Sequence, residues 1–250
     1  MKTILKTVSL FIGLAFLMGG ACPSNDTTAS NKIEQTEIYQ NYSIAENGKY
    51  YDVTAYFRIG GKTGTTLALS SPSKVTFNGQ PMEEHLNTTS GTYYTTTVPA
   101  TTKDGTFAFT DRNSKIYSNR IDLIRVALTP AKLAVNATTP VAMLLVGKVS
   151  DTATLNLELN DQMVIVSNGP GDVAEAYLDS AKNSIVVMPA AWAKVANGNV
   201  AIDLEVRNSI STQQGTRLGG DMNFVYNSPP ANASLSKAKN AANKTTAVKQ

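Results

Sequence analysis

The sequence predicts an all-β protein made of two consecutive antiparallel β-sandwiches. Three observations carry this. Apolar residues alternate with polar ones at a period of two in many short segments, as in strands with one face inward. Turn residues recur between them at a spacing of about 8 to 12 positions. No long helical pattern alternates with the strands, which argues against a parallel α/β sheet.

Taken from the start, Lys2 and Lys6 supply a positive end, Thr7 to Met18 an apolar run, and Gly19, Gly20 and Ala21 small residues before a cut. Residues 1–21 read as an export signal. Cys22, the one cysteine in 250 residues, stands where that signal ends. A cysteine there is what a bacterial lipoprotein uses as its new N-terminus, its thiol alkylated by lipid. An unused single thiol in an exported chain is an oxidation liability. Gly19 occupies the place where the usual lipoprotein pattern has Leu. Gly19 and Ala21 also satisfy the ordinary signal peptidase, so a soluble secreted product is the alternative. The apolar run falls short of the roughly 20 residues that span a bilayer, which argues against an uncleaved anchor.

An apolar content of 42% is enough for real cores. The formal charge of +3 comes from the ends. Setting aside Lys2 and Lys6 in the leader and Lys237, Lys239, Lys244 and Lys249 after Pro229 leaves the body Cys22–Pro229 at −3. Such a body is not a nucleic-acid binder. With one cysteine no internal disulfide forms, so stability rests on burial and backbone pairing.

Residues 22–32 are small and polar and read as a flexible tether. From 33 to 129 the pattern is a first sandwich. Ile38 to Glu46 joins the alternating run Tyr51 to Ile59 through Asn47-Gly48, a hairpin signal. A second is Asn78-Gly79 after Val75 to Phe77. Tyr93 to Val98, Thr106 to Asp111 and Ile121 to Leu128 follow as strands, and Thr129-Pro130 marks the boundary. From 130 to 228 the pattern restarts with no obvious sequence repeat. Val141 to Val149 reads as a strand buried on both faces. Leu155 to Leu159, Val164 to Val166, Ala174 to Leu178, Ile185 to Met188, Val200 to Val206 and Met222 to Tyr226 complete the set. Pro189 to Ala196 alone looks helical. Residues 229–250 read as a disordered basic tail.

Chemistry is sparse. His85, beside Glu83 and Glu84, is the only histidine, which excludes a site with two imidazoles and gives no expected metal. No G-x-S-x-G elbow accompanies it. Gly60-Gly61-Lys62-Thr63 resembles the end of a phosphate loop, but Tyr56 stands where its first glycine belongs. Asp104, Asp111, Asp151, Asp161, Asp172 and Asp179 fall near turns, where Asp bonds the nearby backbone. No EF-hand spacing occurs, and no cofactor is expected. Tyr50, Tyr51, Tyr56, Tyr93, Tyr94 and Trp192 are the aromatic candidates for a sugar platform. Of these Tyr50, Tyr94 and Trp192 are the named ligand candidates. A Tyr pair in sequence puts one ring on each face of its strand, and the common role of such rings is core.

The leader with Cys22, the stretch YYDVTAYFRIGGKTGTTLAL (Tyr50 to Leu69) with PSKVTFNG (Pro72 to Gly79), and Met188 to Asn208 resemble a group of uncharacterised Bacteroidota lipoproteins built of immunoglobulin-like sandwiches. The resemblance implies two consecutive immunoglobulin-like domains and an envelope location, with no catalytic residues. Asp26-Thr27-Thr28, Asp151-Thr152-Ala153 and Asp179-Ser180-Ala181 look like the O-glycosylation signal of exported proteins in that group, with Thr27, Thr152 and Ser180 as acceptors.

The sequence therefore predicts a non-enzymatic protein held to the outer membrane, facing periplasm or surface, by an N-terminal lipid. It presents loops for binding or adhesion to a glycan or protein. Gly60 to Thr66, Glu83 to Gly91 and Ser211 to Gly220 are the longest polar loops. The alternatives are a carbohydrate-binding accessory of a surface glycan system and a hydrolase using paired carboxylates.

Overall fold

The computed structural model describes residues 27–237 except 124, 151–152 and 171–174. The described strands are β1 (Thr27–Ala29), β2 (Ile38–Asn47), β3 (Tyr50–Ile59), β4 (Thr66–Ala68), β5 (Lys74–Phe77), β6 (Gln80–Pro81), β7 (Glu83–Asn87), β8 (Gly91–Pro99), β9 (Asp104–Thr110) and β10 (Ile116–Asp122). They continue with β11 (Ala127–Thr129), β12 (Lys132–Asn136), β13 (Val141–Val146), β14 (Thr154–Leu159), β15 (Gln162–Ser167), β16 (Ala176–Asp179), β17 (Ser184–Val187), β18 (Gly198–Ser211), β19 (Gly220–Asn227) and β20 (Ala231–Ser236). One short helix, α1 (Pro189–Ala193), lies between β17 and β18, with Pro189 in its first turn.

The second sandwich packs β11-β13-β17-β16 against β12-β20-β18-β14-β15. β15 pairs β14 over Gln162–Ile165 and turns to pair β16 through Val166 and Ser167, linking the two sheets. This is an immunoglobulin-like arrangement. Leu155, Leu157, Leu159, Val200, Ile202 and Leu204 share an aliphatic core with Met143, Leu145, Ile185, Val187 and Trp192. Full burial of each such aliphatic side chain stabilises by about 1.5–3 kcal/mol. The β14–β15 turn is Asn160-Asp161, both at positive φ without a glycine. Asn160 holds the turn to β18, its Oδ1 accepting from the Ala201 N–H at 2.7 Å. Asp161 carries the left-handed strain at φ 62°, while the side-chain bond to β18 is made by Asn160, so Asp161→Gly is expected to raise stability by about 0.5–1 kcal/mol in a urea titration.

The first sandwich packs β6-β5-β9-β10 against β7-β8-β3-β2. Its core is aromatic. Tyr42 stacks on Phe107 with centroids 4.3 Å apart, and Phe57 meets Phe109 at 4.5 Å. Asn78 and Gly79 both have positive φ, as the expected tight hairpin turn requires. The other expected hairpin turns on Gly48-Lys49 rather than Asn47-Gly48, since β2 continues through Asn47.

The two sandwiches share one continuous sheet. β18 is 14 residues long. Its first part pairs β14 and β20 in the second sandwich, and its last part, Glu205–Ser211, pairs β19. β19 then lies parallel to β2, Gly220–Val225 against Gln40–Ala45. The β18–β19 hairpin thus adds two strands to the first sandwich's sheet. Its loop closes onto the opposite sheet: Gln214 Oε1 accepts from the Ser118 N–H at 2.8 Å, and Gln213 Oε1 from the Arg120 N–H at 2.9 Å. At the junction the Arg125 Nε–H donates to the Tyr51 hydroxyl at 3.1 Å, and the Tyr51 ring meets Phe224 edge-on at 5.8 Å.

Five expectations are corrected. Ala231–Ser236, read as tail, is a strand with Ala231, Ala233 and Leu235 buried. Its inward side chains are mostly alanines, too small to signal a strand. The expected tether is docked from Thr27: β1 pairs β4, and Ser30 is buried with its Oγ accepting from the Ser70 N–H at 2.9 Å. Glu83–Asn87 is an edge strand rather than loop, charged as exposed edges commonly are. Ile121 to Leu128 is not one strand: β10 ends at Asp122 and β11 begins at Ala127. Leu144 and Val146 are 53% and 60% exposed, so the apolar run there is buried on one face only.

Candidate binding face

The first sandwich displays one organised group on its outer sheet face. Alternation in β3 sends Tyr51, Val53, Ala55 and Phe57 inward and leaves Tyr56 and Arg58 outward. Tyr93 on β8 and His85 on β7 are Cα partners across the edge pair. The Tyr56 and Tyr93 rings stack with centroids 5.6 Å apart, and Tyr93 and His85 at 5.3 Å. The Arg58 guanidinium lies 5.2 Å from the Tyr56 ring centroid. The result is a row of one guanidinium and three rings over three strands. His85 Nε2 shares a 2.8 Å hydrogen bond with the Thr95 hydroxyl, and the Arg58 Nη1–H donates to the Gly64 carbonyl at 3.0 Å.

Interplanar angles of 29° and 25° mean that these rings face one another. Their edges, and the two phenol oxygens, point away from the stack. Along the sheet Tyr56 is followed by its Cα partner Asn41 and then by Asp221. Lys62 Nζ lies 2.8 Å from the Asp221 carboxylate. Burial raises the pKa of Asp221, but hydrogen bonds from Lys62 and Tyr39 outweigh it and hold the carboxyl below its usual range. The face thus offers hydrogen-bonding groups in a line.

A second feature is a groove of about 360 Å³ on the outer side of β14 and β18, lined by Asn156, Glu158, Met163, Asp203, Glu205 and Arg207 among others. Glu158 and Asp203 are Cα partners there. Both Glu205 oxygens accept from Arg207, at 2.6 and 3.1 Å, and the Asn156 amide donates to Oε1 at 2.7 Å. The Arg207 bond, reinforced by Asn156 and opposed by burial, holds the Glu205 carboxyl below its usual range. Glu205 is therefore an ionised acceptor rather than a proton donor. Because its folded pKa is lowered, its stabilisation is present above about pH 4.5 and is lost as pH falls through the lowered value. Arg207 is largely exposed, so Glu205→Gln is expected to cost less than about 1 kcal/mol at pH 7 and to flatten the acid limb of a stability–pH curve.

The three named aromatic candidates do not converge. Tyr50 is 54% exposed, whereas Tyr94 is 4% and Trp192 0% exposed. The Tyr94 hydroxyl donates to Glu84 at 2.6 Å and accepts from the Leu69 N–H at 2.7 Å, inside the sandwich. Burial, then the Glu84 bond, pushes its pKa up. Neither buried ring can stack on a sugar, and the outward member of the Tyr93-Tyr94 pair is Tyr93. Thr27 is exposed, though its hydroxyl bonds those of Thr66 and Thr92 at 3.2 and 3.1 Å. Ser180 is exposed on the β16–β17 turn. Cys22 and Thr152 lie outside the described residues. Among the described residues no group of three or more His, Cys, Asp or Glu is placed to hold a metal, and no helix is long and apolar enough to cross a membrane.

No protein-family model matches the chain, and no curated protein matches it. Among solved structures it is similar to the tandem Ig repeats of Dlar, at TM-score 0.30 and 9% identity, covering 80% of this chain and 95% of that one. Murine CEACAM1b matches at TM-score 0.26 and 12% identity, over 80% of this chain and 100% of that one. A Bacteroides ovatus mixed-linkage glucan utilization locus protein, SGBP-B in complex with a mixed-linkage heptasaccharide, matches at TM-score 0.19 and 10% identity, over 75% and 53% of the two chains.

Proposed function

We propose that the chain is a non-enzymatic, lipid-anchored cell-envelope protein that presents its sandwiches for binding or adhesion. The observation that carries this reading is the half-buried, outward-facing Arg58–Tyr56–Tyr93–His85 row on the outer sheet face. It gives a partner a line of polar aromatic edges across three strands. Attachment through a lipid on Cys22, an outer-membrane location and kinship with Bacteroidota envelope lipoproteins rest on the leader and the sequence resemblance.

Within this reading the partner is a glycan. Phenol hydroxyls, the Asn41 amide and the remaining Arg58 N–H donors match the hydroxyl-rich edge of a saccharide. The test is a glycan array probed with the leaderless chain, followed by titration of any hit. Tyr93→Ala and Tyr56→Ala are expected to weaken binding at least about tenfold, a loss of some 1.4 kcal/mol, with the thermal midpoint recorded for each. Binding that is unchanged in both folded variants contradicts the assignment of this face. Metabolic labelling with a fatty-acid analogue, wild type against Cys22→Ala, tests the anchor: label in the wild type alone is the expected result.

A further inference from the structure

The chain is docked on the first sandwich from Thr27 onward, which limits how a molecule tethered through Cys22 can sit on a membrane. This inference rests on the Cys22 attachment proposed above. Four residues, 23–26, separate Cys22 from Thr27. Five residue steps reach at most about 18 Å even when fully extended. From Thr27 onward the chain is bound to the fold. β1 pairs β4, and Ser30 Oγ takes the Ser70 N–H. The Arg112 guanidinium donates to the Asn31 carbonyl at 2.8 Å, and the Gln35 amide to the Ser30 carbonyl at 2.9 Å.

We propose that the Thr27 end of the first sandwich sits against the headgroup layer, with the second sandwich distal. The same end carries the 60–65 loop after β3, the 88–90 turn before β8 and the 111–115 turn between β9 and β10. It also carries the tip of the β18–β19 hairpin, where the Thr216 hydroxyl donates to the Ile38 carbonyl and Arg217 pairs with Glu37. Lys32, Arg58, Lys62, Arg112, Lys115 and Arg217 stand at this end with Glu34, Glu37, Asp111 and Asp221, a small positive excess. This excess adds a weak attraction to anionic headgroups, and the short covalent reach sets the orientation. The hairpin makes it consequential, since a tip contributed by the distal half of the sequence lies at the membrane-proximal end.

The test joins the chain from Cys22 onward, through its thiol, to a maleimide phospholipid in phosphatidylethanolamine–phosphatidylglycerol vesicles. Amide hydrogen exchange is then compared with the free chain. Exchange is expected to slow several-fold at 60–65, 88–90, 111–115 and 216–219, and to stay unchanged at the second-sandwich turns 160–161 and 180–183. A spacer of about 30 Gly and Ser residues after Ser24, with a mean span of about 30 Å, is expected to abolish the protection. Equal exchange at every site overturns the proposal, as does protection centred on 160–161 and 180–183. Because the lipid is attached chemically, this result is separate from the fatty-acid labelling, which alone decides whether Cys22 is acylated in cells.

Discussion

Ending the chain at Pro229 is expected to unfold the second sandwich. β20 is an interior strand. It runs parallel to β12 over Lys132–Asn136 on one side and antiparallel to β18 over Gly198–Ile202 on the other. Among the described residues β12 pairs with no other strand, so it loses its partner with the deletion. Ala231, Ala233 and Leu235 leave the core, and Lys237, whose N–H donates to Asn197 Oδ1 at 3.1 Å, no longer ties the β18 entrance. Opening a sheet on both sides of a deleted strand falls among the largest local losses, more than about 5 kcal/mol, comparable to the whole stability of many domains. Ending the chain at Lys237 leaves β20 in place. That version is expected to keep its thermal midpoint within about 2 °C of the full chain. Calorimetry on the two truncations separates these outcomes.

Gly220→Val is expected to release the hairpin from the first sandwich. A Cβ at position 220 would stand 2.0 Å from the Gln40 carbonyl oxygen, a backbone atom that cannot rotate aside. β19 must withdraw from β2 at the first residue of their parallel ladder. With it go Met222, Phe224 and Tyr226, which are buried in the core. A cost of about 3–5 kcal/mol follows from lost burial and unpaired backbone. The variant is expected to unfold in two steps where the wild type unfolds in one.

Much of this architecture was legible in the sequence, and its misses have local causes. Leu155, Leu157 and Leu159 mark β14 because one face of that strand is wholly buried, and Asn78-Gly79 marks a turn because both residues tolerate positive φ. β18 reads as ending near Val206. Its remaining residues, Arg207 to Ser211, are mostly polar, and their role emerges only when β19 lies beside them. The pairing of β19 with β2 joins positions about 180 residues apart and leaves no local signal. The aromatic row shows the same limit. Tyr56, Tyr93 and His85 each stand out in the sequence, but alternation alone does not say whether Tyr93 or Tyr94 faces inward. That choice follows from the register of β8 on β3, where Ala55, an inward residue, is the partner of Tyr94.

The two-sandwich unit held by a shared sheet is tested most directly by guanidinium unfolding read at two places at once. Trp192, the only tryptophan, reports the second sandwich through its emission. The amide resonances of Phe57 and Phe107 report the first. Coincident midpoints in the wild type, separating in Gly220→Val, are the predicted result. A first sandwich that melts at its own denaturant concentration in the wild type, with Trp192 still native, would contradict the account.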